Sequence, residues 1–494
     1  MKSFHARHSL FAGLFLTVLA GLPADSAAQG TAADYARAEA LKARYEGAAI
    51  DIAGPATAIG RTHRFWYRKS IPGGDVFMTI DADTRQKQPA FDHAAIARSL
   101  SDLTGNRYSG EKLPFNALAF TDEGAAFTAS VEGAPYRCEV SAATCRKADA
   151  GPRAGAGLAV GRRARDEGPR RSPDGQWEAL INNYNLAVRK RGTRALVHLS
   201  SDGSEANYYE LSSIAWSPDS RKVAVYRVRP GYRREVHYVE SSPEDQLQPK
   251  YSSLLYAKPG DVLDVDQPVL FTVEPRQQVI ADNTLFPNAY ANSELVWRDD
   301  SRAVTFEYNQ RGHQVYRIIE IDAASGRARA VISEEPKTFF TYRTANGALS
   351  DSGKKYRFDL NDGKEVIWMS ERDGWNHLYL FDGVSGAVKN QITKGSWVVR
   401  AVQHVDPVAR QIWFSAGGMY PGKDPYFASY YRINFDGSGL VRLTEADANH
   451  AAMFSSDMAF YVDTFSRTDI APVVELRRSS DNTLVSVVEK GDIT

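Results

Sequence analysis

Three segments of one design punctuate the middle of this chain: SPDGQWEAL from Ser172, WSPDSRKVAVY from Trp216 and WRDDSRAVTFEY from Trp297. In each, a short acidic turn feeds a run of β-branched and aromatic residues. An Asp in such a turn caps its own backbone, and the strand that follows alternates toward a core. The serines of the first two copies are 45 positions apart (217 − 172), and the tryptophans of the second and third are 81 apart (297 − 216), close to two such units. A second element recurs later in each unit, an apolar strand running into an Asp/Gly turn: ALVHLSSDGSE, IIEIDAASGR, LYLFDGVSGAV and YYRINFDGSGLVRLT. A period near 45 residues with several strands per unit is the pattern of propeller blades, small sheets that cover their faces by stacking around an axis.

The expected fold is therefore all-β, a β-propeller of about eight blades over residues 61–494. Short runs such as VAVYRV, AVTFEY, VIWMS, HLYLFD and QIWFSA supply its strands from about Arg61 onward. Before them, DYARAEALKARYE (Asp34 to Glu46) places Tyr35, Ala38, Leu41 and Tyr45 at helical spacing, which predicts a short helix within residues 29–60.

The first 28 residues read as an export signal. Lys2 and Arg7 precede an apolar run from Leu10 to Leu22, and Ser26-Ala27-Ala28 offers small residues for cleavage after Ala28. The run is short for a bilayer span, no Cys follows it, and no later segment reaches transmembrane length. The expected location is periplasmic or secreted, without a membrane span once the signal is removed. In that compartment Cys138 and Cys145, the only cysteines, are expected to pair across a hairpin with Ser141 to Thr144 at its tip. The competing reading, a metal site, lacks further ligands at suitable spacing.

Sixty basic and sixty acidic side chains cancel, so no global field favours nucleic acid or an anionic membrane. The local cluster Arg162, Arg163, Arg165, Arg170 and Arg171 sits in a Gly/Pro-rich stretch without interleaved aromatics and reads as a solvated loop. Outside the leader the histidines are His63, His93, His198, His237, His313, His377, His404 and His450, and none falls into HExxH or another metal-ligand pair on one helix. His377, after Trp375 at the start of a strand, reads as a hydrogen-bonded structural residue. No Gly loop cradles phosphate. No metal and no cofactor is expected.

SERDGWNHLYLFD (Ser370 to Asp382) resembles a blade segment of the dipeptidyl peptidase IV N-terminal propeller, in the prolyl oligopeptidase group of serine peptidases. YAKPGD (Tyr256 to Asp261) followed by QPVLFTV, the closing segment DTFSRTDIAPVVELRRSSD, FDHAAIARSL (Phe91 to Leu100) and the Cys138/Cys145 hairpin are similar to the same family. The resemblance implies a propeller that caps an α/β-hydrolase domain, gates access to a buried Ser-Asp-His triad and helps hold the amino terminus of a peptide substrate through charge-assisted hydrogen bonds.

Two departures qualify what that resemblance carries over. No G-x-S-x-G nucleophile elbow occurs, so the catalytic residues are expected to be none and the hydrolase domain absent from this chain. Gly383-Val384-Ser385-Gly386-Ala387 comes nearest, with Asp406 and His450 downstream in hydrolase order. Ser385, however, lies in a hairpin turn that runs on into a strand, without the helix N-terminus an elbow needs. The family's adjacent glutamates, in W-x-Y-E-E before a W-S-P turn, are also missing. SEANYYELSSIA stands there, with Glu205 and Glu210 apart, which leaves the substrate-binding residues unassigned. The expected function is a substrate-gating propeller in proteolysis, with peptide substrates and a separate hydrolase domain as partners. A stand-alone periplasmic peptide- or protein-binding propeller is the alternative.

Overall fold

The structure, a computed structural model, describes residues 30–45, 48–148, 168–342 and 354–493. The proposed signal segment, Arg162, Arg163 and Arg165 lie outside them. Eight sheets follow one another along the chain at residues 57–89, 119–147, 170–198, 208–280, 289–334, 357–391, 398–442 and 449–490. The fourth is interrupted by a ninth, two-stranded sheet in which Glu235–Glu240 pairs with Lys250–Leu255; each of the eight is built from antiparallel strands, four in six of them and five in the fourth and fifth. These are the blades of a propeller, numbered 1 to 8 below. Blade 1 begins at Thr57, four residues before the expected boundary, because Thr57 and Ala58 pair with Trp66 and Phe65.

Strand period two explains how blades stack. In blade 6, Ile367 and Met369 point into a buried cluster shared with Val399, Ile412 and Phe414 of blade 7, while Val366 and Trp368 point back to Tyr316, Ile318 and Val331 of blade 5. Both faces are covered, so the strand reads as a continuous apolar run. Comparable clusters join blades 1 and 2, 3 and 4, 4 and 5, 7 and 8, and blade 8 back to blade 1. Among the described residues none joins blades 2 and 3.

The ring closes where the chain ends meet. Ile50 and Asp492 exchange both backbone hydrogen bonds, at 3.0 and 2.8 Å. Glu489, buried at this junction, accepts from Tyr67 Oη at 2.8 Å and Lys87 Nζ at 3.1 Å, both on blade 1. His63 of blade 1 bridges Asp83 on its own blade and Asp457 of blade 8, at 2.9 and 2.8 Å.

The repeated acidic turn does more than cap itself. Ser172 Oγ donates to Asp174 and Ser217 Oγ to Asp219, both at 2.6 Å, as expected of such turns. The Asp174 amide then donates to Ser220 Oγ of blade 4 at 3.1 Å, and the Asp219 amide to Ser301 Oγ of blade 5 at 3.1 Å. Trp216 and Trp297 each donate an indole N–H to a carbonyl of the preceding blade, Arg170 at 2.9 Å and Ala215 at 3.0 Å. The residue after the last Asp of the turn is left-handed: Gly175 has φ 70°, Ser220 61° and Ser301 63°, and in the first copy Gly meets that need without a Cβ penalty. A fourth copy, Ser455-Ser456-Asp457-Met458, carries neither the Trp nor the Pro that marks this turn in the sequence. Its Ser455 Oγ donates to Asp457 at 2.7 Å in the same way.

Helix α1 (Ala32–Tyr45) matches its expected place. Thr31 and Asp34 cap it reciprocally: the Thr31 amide donates to Asp34 Oδ2 at 2.9 Å and the Asp34 amide to Thr31 Oγ1 at 3.3 Å. A second helix, α2 (His93–Thr104), interrupts what the sequence suggested was strand throughout. Asp92 accepts from the Ala95 amide at its start, and Gly105, with φ 81°, ends it. Ile96, Ala97 and Leu100 bury one stripe against blades 1 and 2.

Candidate functional site

The three residues that stand in hydrolase order are each occupied elsewhere. Ser385 sits in the turn after strand His377–Asp382 of blade 6, where its Oγ donates to Asp382 Oδ1 at 2.9 Å. Ser325 makes the same contact with Asp322 in blade 5 at 2.7 Å, so the arrangement belongs to the blade turn and not to a nucleophile. Asp406, in blade 7, accepts from the amides of Val408 and Ala409, both at 2.8 Å. His450, in blade 8, is fully enclosed, with Nδ1 2.8 Å from Asp463 and Nε2 2.9 Å from the Ala446 carbonyl. A His–Asp pair thus exists, but its second nitrogen faces a main-chain oxygen instead of a hydroxyl.

His377 is buried, with Nδ1 3.0 Å from Thr393 Oγ1 and Nε2 2.9 Å from the Gly395 carbonyl. Cys138 and Cys145 are cross-strand partners, 4.0 Å apart at Cα, and are joined by a disulfide. The Cys145 amide donates to Ser99 Oγ of α2 at 2.8 Å, which ties the hairpin to the helix. Arg171 lies on a short edge strand, 4.0 Å from Glu178. Among the described residues no group of three or more His, Cys, Asp or Glu side chains is placed to hold a metal ion, and no helix is long and apolar enough to cross a membrane.

The two glutamates weighed for an amino-terminus clamp do not come together. Glu205 is exposed at a turn. Glu210 is half-buried at the head of the single 3-10 turn Leu211–Ser213, its amide donating to the Tyr226 carbonyl at 3.0 Å. The acid that shares its surroundings is Asp266, on the strand paired with that of Tyr226. The Tyr226 hydroxyl is pushed well above its ordinary range, by burial first and then by the charges of Asp266 and Glu210. Asp266, 56 positions from Glu210 (266 − 210), leaves no local sequence signal.

A dense polar assembly lies between blades 5 and 6. Seven charges alternate in sign along the seam: Lys355, Glu307, Arg357, Asp359, Arg298, Glu320 and Arg329. Arg298 is at its centre, donating to Glu320 at 2.7 Å and Asp359 at 2.8 Å. Tyr316 and Lys355 both donate to Glu307. Burial alone would raise the Glu307 pKa; the Lys355 charge and hydrogen bond, with Tyr316 and Arg357, outweigh it and hold the group below its ordinary range. Beside this seam opens a cleft of about 470 Å3, lined by Glu334, Glu335, Phe339, Lys354, Glu371 and Arg372 among others. Glu334 accepts from Trp368 Nε1 at 2.9 Å and Arg372 at 2.5 Å, Glu335 from Arg317 at 2.7 Å, and Lys354 pairs with Glu371 at 2.8 Å. Every acid here is matched by a base. The cleft can hold a polar ligand; its one serine–carboxylate contact, Ser333 Oγ to Glu335 at 3.0 Å, has the carboxylate already held by Arg317.

A family model described as the dipeptidyl peptidase IV N-terminal region matches residues 117–472. This chain belongs to that family. The dipeptidyl-aminopeptidase B of Neosartorya fischeri is 23% identical over 311 residues, covering 56% of this chain and 32% of that protein. The dipeptidyl peptidase 4 of Trichophyton equinum is 25% identical over 215 residues, 43% of this chain and 26% of that one. The chain thus spans about a third or less of the length of these relatives. A crystal structure from Bacteroides ovatus, described as a dipeptidyl aminopeptidase IV, superposes with a TM-score of 0.51 at 14% identity, over 89% of this chain and 60% of that one, which speaks for a shared fold.

Proposed function

We propose that this dipeptidyl peptidase IV-type N-terminal region is the non-catalytic, substrate-gating propeller of an exported serine peptidase, with the nucleophile carried by an α/β-hydrolase domain outside these residues. The observation that supports it most is the family match across blades 2 to 7 and the first part of blade 8, combined with a Ser385, Asp406 and His450 that are each committed to a turn or to the core. A gate of this kind spares folded proteins and admits peptides.

Purified chain is expected to release no chromophore from a prolyl-dipeptide anilide. Hydrolysis that a serine-directed fluorophosphonate abolishes would overturn the proposal, and its loss in Ser385→Ala would name the nucleophile. Export is tested separately: periplasmic material is expected to begin at Gln29, whereas intact chain retained in the cytosol contradicts that part of the reading.

A further inference from the structure

Charge is spread unevenly along this neutral chain. Between residues 168 and 198 six basic side chains meet two acidic ones, Asp174 and Glu178, whereas sixty of each cancel over the whole sequence. Blade 3 carries this surplus on two turns that lie side by side. Arg171 leads into the acidic turn at 172–176, and Lys190 and Arg191 enter the turn that Arg194 leaves. The Arg191 amide donates to the Gln176 carbonyl at 2.8 Å, which joins the two turns, and the Thr193 amide closes the second onto the Lys190 carbonyl at 3.0 Å. Because the Asp174 amide reaches Ser220 Oγ of blade 4 at 3.1 Å, Arg221 of the next acidic turn stands beside them.

All five of these cations are exposed. The acids around them are engaged elsewhere. Glu178 accepts from Arg189 at 2.9 Å, and Arg171, with 66% of its side chain exposed, comes only to 4.0 Å from it. Asp174 accepts from Ser172 Oγ at 2.6 Å and from the Gln176 amide at 3.0 Å, and Asp219 pairs with Lys222 at 3.6 Å. Lys190, Arg191, Arg194 and Arg221 have no ion pair to a described residue. Strands of a blade alternate in direction, so the turns after the first and third strands share one face of the ring. Ile50, before the first strand of blade 1, and Asp492, after the last strand of blade 8, meet on the opposite face. The basic turns therefore point away from anything joined to the chain ends.

We infer that this face of blades 3 and 4 docks on an anionic lipid surface. The cations stand on turns of two blades, so they suit an extended layer of negative charge better than one small anion, which needs converging donors. Lipid headgroups move sideways and meet long, flexible Arg and Lys side chains wherever these end. Nucleic acid is served less well: the aromatic ring among these residues, Trp177, is half-buried with Lys190 Nζ 5.6 Å over it, and offers no free face to a base. The zero net charge of the chain does not cancel the patch, because charges beyond about 10 Å are screened at about 0.1 M salt. The inference is independent of the gating reading, since it needs no hydrolase domain.

Co-sedimentation of the full chain with vesicles containing about 30% phosphatidylglycerol tests the inference, with pure phosphatidylcholine vesicles as the baseline that also absorbs any contribution of the apolar leader. At about 50 mM salt the anionic vesicles are expected to bind at least tenfold more tightly than the neutral ones, and about 300 mM salt is expected to remove the difference. The triple variant Lys190→Gln, Arg191→Gln, Arg194→Gln is expected to lose at least tenfold. Removing the same charge from another exposed stretch, as Arg98→Gln, Arg107→Gln, Lys112→Gln, is expected to cost less than twofold. Circular dichroism checks folding; if the triple variant is not folded, the pair Arg191→Gln, Arg194→Gln carries the test. Equal binding to both vesicles, unchanged affinity in the blade 3 variant, an equal loss in the control, or binding to a DNA duplex but not to anionic vesicles overturns it.

Discussion

Blade 6 is held on its two faces by different chemistry. Toward blade 7 it presents Ile367, Met369, Leu378 and Leu380 to a cluster that is apolar throughout. Toward blade 5 a smaller apolar cluster around Trp368 is flanked by the seven alternating charges centred on Arg298. The apolar face gains by area removed from water and tolerates small errors of geometry. The ionic face gains only while every charge keeps its partner, since a buried charge left alone carries its whole desolvation cost. A single truncation is therefore expected to cost more on the ionic face, which forgives less.

Arg298→Met tests this most severely, because it keeps the aliphatic stem and removes the buried cation that Glu320 and Asp359 share, leaving them only Arg329 and Arg357. Urea denaturation is expected to show a loss of about 3–5 kcal/mol, and a loss below about 1 kcal/mol would remove the distinction. On the other face, Ile412→Val deletes one methylene from the fully buried cluster and is expected to cost about 1 kcal/mol. A cost equal to that of Arg298→Met would mean that packing rather than charge sets the balance.

Acid separates the faces without mutation. Glu307 and Asp359 are held below their ordinary values of 4.5 and 3.8, for each because neighbouring cations outweigh burial. A depressed folded pKa contributes stability that is present above the unfolded value and is lost as pH falls through the folded one. Hydrogen-exchange protection, corrected for the intrinsic rate at each pH, should therefore fall first between pH 5 and pH 3 in the strands of the blade 5–6 seam, and an equal fall in blade 7 would contradict that. The smallest expected effect is at the ring closure. His63, raised above 6.5 chiefly by hydrogen bonds to Asp457 and then Asp83, contributes below pH 6.5 and loses its contribution as pH rises through the folded pKa. His63→Gln is expected to remove at most about 1 kcal/mol, because the pair is partly exposed, and only at the acid end. A larger loss at pH 9 than at pH 6 has the wrong sign for this account.

The contrast between the faces also marks what the sequence made legible. Blade strands were visible because period-two runs with acidic turns recur, and the Cys138/Cys145 hairpin because its spacing is local. The relay from Asp174 to Ser220 and from Asp219 to Ser301 was not, since a turn shows its own capping but not the neighbour its amide will meet. Helix α2 was passed over inside a β-rich stretch, although Asp92, Ile96, Leu100 and Gly105 stand at cap and stripe positions. The polar sites were the least legible. Arg298 joins Glu320 and Asp359 across 61 positions, Glu210 shares its surroundings with Asp266, and Arg221 joins the cations of blade 3 only once the two acidic turns are known to meet. Ser385, by contrast, looked meaningful only in one dimension; its hydroxyl belongs to the turn it sits in.

The most direct test of the proposed role as a peptidase gate is to sequence the coding DNA through codon 494 and several hundred bases beyond. The account predicts that the frame, or one a base away, continues into a G-x-S-x-G elbow with later Asp and His codons in hydrolase order. A genuine stop followed by unrelated sequence would contradict it and leave a propeller whose function is binding alone.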